Sequence, residues 1–162
     1  MNDTELKTLE YPPLTEDLEE AKTHLDEYGM ALIANVLDKD EVEEMDKRLN
    51  EQFLGEEKYK VGSKVRGDEG LGKESTEEEK VSRLVWNLIN KGDCFLKLID
   101  HPKILPLIQH LIGERVSLCS MGAHMNGSGN EKMALHQDQW PLVPHPMDFP
   151  FMANVMYLIS DN

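Results

Sequence analysis

Leu135-His136-Gln137-Asp138-Gln139-Trp140 sets an imidazole and a carboxylate two residues apart. In an extended segment, side chains at that spacing project from one face, so His136 and Asp138 point together. A neutral imidazole beside a carboxylate makes two thirds of a facial triad. That site type holds non-haem Fe(II) and leaves positions open for oxygen and a co-substrate. The same spacing also fits a solvated polar pair on a strand edge, the commoner origin of a His-x-Asp pair. The spacing alone leaves both readings open.

Composition narrows the setting. The 162 residues are about one domain's worth, 40% hydrophobic and 30% charged, enough to bury a core. Lys and Arg number 17 against 31 Asp and Glu, a formal net charge of −14. Such a surface repels phosphate backbones and anionic lipid, which argues against nucleic-acid and membrane partners and, more mildly, against a highly anionic substrate. Cys94 and Cys119 form no CxxC pattern and read as reduced thiols of an intracellular protein. Neither a secretory signal nor a bilayer-length apolar run is visible, so the expected address is the cytoplasm. Nothing in the composition sets the oligomeric state.

The elements that must position the pair begin after an acidic, patternless stretch, residues 1–14, expected to be disordered. A helix is expected from an N-cap at Thr15, its apolar face formed by Leu14, Leu18, Ala21, Leu25 and Tyr28 and its stop by Gly29. Met30 to Ala34 reads as a short strand buried on both faces. Asp38 and Glu41 have capping-box spacing and open a second helix. Its buried face is Val42, Met45, Leu49 and Phe53, and its expected end is Gly55. Residues 55–74 hold five glycines among charged residues and read as a mobile loop. The Gly67–Gly72 stretch lacks a preceding strand and a following Gly-Lys-Ser, so it is no phosphate cradle.

Ser75 to Glu78 has capping-box spacing, predicting a helix that carries Val81, Leu84, Val85 and Leu88, with Arg83 and Trp86 at the core edge. Asp93 starts a further helix with Phe95, Leu96, Leu98 and Ile99, broken at His101-Pro102. Ile104 to Ile112 forms the next, ended by Gly113, with Pro106 marking a kink or a late start. After Gly113 strands are expected over Arg115 to Met125, Met133 to Trp140 and Phe151 to Ser160. Helices first and strands afterwards predict α+β, helical over 15–113 and with the first core strands over 114–162.

The order of these parts resembles the phytanoyl-CoA dioxygenase family from about Thr15 onward. Glu27-Tyr28-Gly29 running into an apolar strand, then Asn35-Val36-Leu37 and a helix, is similar to that family's start. His101-Pro102, Leu111-Ile112-Gly113 and Leu135-His136-Gln137-Asp138 are similar to its middle. Asn154 to Asn162 is similar to the strand that follows. The resemblance implies a double-stranded β-helix (a cupin-like jelly roll) and a dioxygenase that uses Fe(II), 2-oxoglutarate and O2. It implies His136 and Asp138 as metal ligands, Asn154 beside the co-substrate, and Gln137 and Trp140 near the substrate pocket. An Asp rather than a small residue at position 138 implies hydroxylation of a small organic or acyl substrate rather than halogenation.

The family's third ligand, a distal His, and its 2-oxoglutarate-binding Arg fall on later strands, expected beyond Asn162. The chain therefore reads as an incomplete oxygenase domain. His124 and His145 are the nearby substitutes for the third ligand, and neither matches the family's position. A non-catalytic binding or interaction protein derived from the fold is the alternative. A metal-binding jelly roll of the cupin type ranks last, because cupins bring more histidines from their early strands.

Overall fold

The computed structural model describes residues 11–65, 82–126, 138 and 149–160. Helix α1 (Leu18–Tyr28) starts at Asp17, whose carboxylate accepts the backbone N–H groups of Glu19 and Glu20. The bond from Glu20, then that from Glu19, holds the Asp17 carboxyl below its ordinary range. The cap is thus Asp17 and not Thr15. Thr15 is drawn instead into a two-residue strand, β1 (Leu14–Thr15), and its hydroxyl donates to the Glu20 carboxylate. A charged acceptor at the positive end of the helix outcompetes a hydroxyl for the cap. Gly29, in the left-handed region at φ 72°, ends α1 as expected.

Strand β2 (Leu32–Ile33) pairs parallel with β1. The expected burial of Met30 to Ala34 on both faces is not found, since Met30 and Leu32 are each more than two-fifths exposed. A ribbon of two short strands has too little backbone to cover both sides of itself. The α1 face also differs. Ala21 and His24 are buried, while Leu14 and Tyr28 are exposed. His110 Nε2, on helix α4 (Leu105–Ile112), lies 2.8 Å from Asp26 Oδ1 and ties α1 to it.

Helix α2 (Lys39–Tyr59) opens with the capping box read from the sequence: Asp38 accepts the Glu41 N–H, and Glu41 accepts the Asp38 N–H. Met45, Leu49 and Phe53 are its buried face. The helix runs through Gly55 and ends at Lys60, which sits left-handed at φ 55°. Glycine inside a helix costs only about 1 kcal/mol relative to alanine. A run of side-chain bonds offsets that cost: Arg48 donates to Gln52, Gln52 to Glu56, and Lys91 to Glu56 from across the fold. The expected loop over 55–74 therefore begins as helix and continues as strand β3 (Ser63–Val65). Residues 66–74 lie outside the described ones.

The largest correction falls on β4 (Ser82–Trp86), where the sequence predicts a helix. Leu84 and Val85 are both buried although they face opposite sides of the strand. A short apolar run buried on both faces mimics helical spacing, which is why Leu84, Val85 and Leu88 read as one helical stripe. The proposed capping box at Ser75 lies outside the described residues. β4 is the centre of an antiparallel sheet in the order β3-β4-β5, with β5 spanning Gly122–Asn126. Trp86 does sit at an edge, its ring 3.6 Å from where a Cβ on Gly122 would stand.

A 3-10 turn (Leu88–Asn90) and helix α3 (Asp93–Leu96) lead to α4, where Pro106 occupies the first turn. A first-turn proline has no N–H to lose, so the late start holds and there is no kink. One core cluster joins α2 (Met45, Leu49, Phe53), β4 (Val85), and Leu88, Cys94, Phe95 and Leu98. Met121, Ala123, Met125, Tyr157 and Ile159 pack against it.

Strand β5 is shorter than expected, and residues 151–160 join no ladder among the described residues. Met156 is 84% exposed and Leu158 68%, against a reading of that run as a core strand. The architecture is mixed helix and sheet, consistent with α+β. The described residues do not close a jelly roll.

Candidate active site

Two of the residues that the resemblance assigns to the site, Asp138 and Asn154, are described, and they meet. Asn154 Nδ2 donates to Asp138 Oδ2 at 2.5 Å across 16 residues of chain. Asp138 lies in a turn and is exposed, rather than on the expected strand over 133–140. The rest of that strand, His136, Gln137 and Trp140 with it, lies outside the described residues, as does His145.

Asn154 owes its place to the residues that follow it. Tyr157 and Ile159 turn inward onto the core, while Met156 and Leu158 point out, a period of two that puts Asn154 on the outward side. The Tyr157 hydroxyl donates to the Leu98 carbonyl at 3.1 Å, and its ring meets His101 edge-on at a centroid distance of 6.4 Å. Burial pushes the Tyr157 phenol up to about 12. His101 is itself fixed, accepting the Lys103 N–H on Nδ1. The segment that carries Asn154 is therefore bolted to the helical layer.

His124, one of two substitutes considered for a third ligand, sits on β5 opposite Leu84. Its ring is shielded enough that burial lowers its pKa, although the residue as a whole is exposed. Among the described residues, no three His, Cys, Asp or Glu side chains gather as a metal site. No described helix is long and apolar enough to cross a membrane.

The sequence signalled Asp138 by its spacing from His136. It gave no signal for the Asn154–Asp138 bond, because hydrogen-bond partners from separate segments leave no local pattern.

The chemistry this arrangement offers is a carboxylate oriented by a neutral amide. Such an oxygen donor suits a divalent cation of the first transition row, and an imidazole two residues before it suits the same ion. The residues fit a metal in donor type.

A family model described as Phytanoyl-CoA dioxygenase (PhyH) matches residues 25–162. Dioxygenase af480 of Aspergillus fumigatus is 28% identical over 147 residues, covering 91% of this chain and 45% of that protein. The chain thus spans less than half the length of this curated relative. No solved structure matches.

Proposed function

The chain belongs to the phytanoyl-CoA dioxygenase family, and we propose that it is part of an Fe(II)/2-oxoglutarate-dependent dioxygenase that hydroxylates a small organic or acyl substrate in the cytoplasm. The observation that carries this reading is Asp138 itself. It is the second member of the His-x-Asp pair, and an amide from a separate, anchored segment holds its carboxylate.

In this reading His136 contributes an imidazole nitrogen and Asp138 a carboxylate oxygen to the metal, so Asp138 works ionised. Bound Fe(II) and 2-oxoglutarate would supply the oxygen-activating chemistry. What the chain's own residues do is hold and surround. Asn154 stands beside the co-substrate region, and Gln137 and Trp140 border the substrate, Trp140 as an apolar wall that keeps water from the reacting carbon. A dioxygenase relative that matches 91% of this chain supports the class of activity. The acidic surface supports a small-molecule substrate over a nucleic acid.

The test is anaerobic titration of the full natural polypeptide with Fe(II), with and without 2-oxoglutarate, following the weak visible charge-transfer band of the chelate. The expected result is a band that needs both components and disappears in His136→Ala. Absence of the band from the unmutated protein would overturn the proposal.

A further inference from the structure

We propose that Asn154 is a positioning residue for Asp138, its side-chain amide setting the plane of the carboxylate before any metal binds. This rests on the reading of Asp138 as a metal ligand. The family resemblance gives Asn154 a place beside the co-substrate and nothing more. The structure gives it a partner, the Asp138 carboxylate, at 2.5 Å.

Three observations carry the role. The first is the bond, from a neutral donor to an ionisable acceptor. A carboxylate left alone rotates about its last torsion, so a bond to one oxygen fixes the direction in which the other is presented. The second is the anchoring of the donor. Asn154 lies three residues before Tyr157, whose hydroxyl is bonded to the Leu98 carbonyl and whose ring packs against His101. Tyr157 and Ile159 are both packed on the core. Order therefore passes from the core through Tyr157 to Asn154 and on to Asp138. The third is the chemical type. An amide donates at every working pH and adds no charge, so it orients the carboxylate without competing for the cation. A Lys or Arg here would neutralise the ligand, and an Asp or Glu would repel it.

Outer partners of this kind set how tightly ligands grip a metal, and their loss typically weakens binding about 10- to 100-fold. The probe is Mn(II), redox-silent and read by loss of the free-ion electron paramagnetic resonance signal, titrated into the full natural polypeptide. Asn154→Ala is expected to weaken Mn(II) binding by about 10- to 100-fold, and Asp138→Ala to abolish it. In the metal-free protein, the Asn154 side-chain amide protons should move in the nuclear magnetic resonance spectrum on Asp138→Asn. That last reading stands even if Asn154→Ala does not fold.

Unchanged Mn(II) affinity in a folded Asn154→Ala would overturn the positioning role, as would amide protons indifferent to Asp138→Asn. A raised KM for 2-oxoglutarate with metal affinity intact would overturn it in favour of a direct co-substrate contact. If the unmutated protein bound no Mn(II), the ligand reading of Asp138 would fail, and this role with it.

Discussion

In the proposed reading Asp138 serves as a ligand only if its carboxylate is aimed, and Asn154 Nδ2 donates to one of its oxygens. The residue that holds this arrangement together is Tyr157. Burial raises its phenol from 10 to about 12. A folded-state pKa above the unfolded one means the native state holds its proton more tightly. The stability this contributes is complete below pH 10 and is lost as pH rises from 10 to 12. We predict that Tyr157→Phe removes this part of the alkaline loss, measured by chemical denaturation across that range. It should also loosen the Asn154 segment, because the bond to Leu98 goes with the hydroxyl. His124 has the opposite sign. Burial lowers its pKa, so its contribution is complete above pH 6.5 and is lost as pH falls below that value. His124→Gln should flatten the slope of stability with pH just under 6.5, and an unchanged slope would contradict the assignment. At this scale the sequence offers His136 with Asp138 by spacing, and His136 lies outside the described residues. It could not pair Asp138 with Asn154, because that contact depends on how two separate segments come together.

Helix α2 was legible almost in full, because a capping box at Asp38 and an apolar stripe at Met45, Leu49 and Phe53 agree with each other. Its end was not, because Glu56 and Glu57 are held by Lys91 and Arg83, residues distant in sequence. Asp38→Ala should cost about 1 kcal/mol, read as a lower denaturation midpoint at unchanged slope. Strand β4 was misread because consecutive Leu84 and Val85 are buried on opposite faces, and a run so short carries no decisive period. The N-cap of α1 moved from Thr15 to Asp17 because Thr15 was claimed by a strand pairing with Leu32–Ile33, a tertiary contact. Element type was thus readable where local signals concurred. It was unreadable where a distant partner decided.

Across the molecule, one cluster around Phe95, Met45 and Val85 binds helices to sheet. Phe95 is 1% exposed, so Phe95→Ala should cost about 3–5 kcal/mol and take the anchorage of Tyr157 with it. Near the candidate site the balance reverses. Phe149, Val155, Met156 and Leu158 are exposed, and the backbone of 151–160 joins no described ladder. An exposed apolar patch of this kind recruits neighbours. The 162-residue chain alone should therefore self-associate; a monodisperse monomer in sedimentation analysis would contradict this. The mixed helix-and-sheet class was foreseeable, but helices first and strands afterwards was not, since strands β1 to β4 all precede helices α3 and α4. The jelly roll that the resemblance implies is not closed by the described residues, which form two small separate sheets. The central claim, that His136 and Asp138 hold a catalytic metal, is tested most directly by anaerobic calorimetric titration of Fe(II). The full natural polypeptide would be compared with His136→Ala and Asp138→Ala. The account predicts one bound equivalent, lost in both variants while their melting temperatures hold. Binding that survives both substitutions, or none in the unmutated protein, would contradict it.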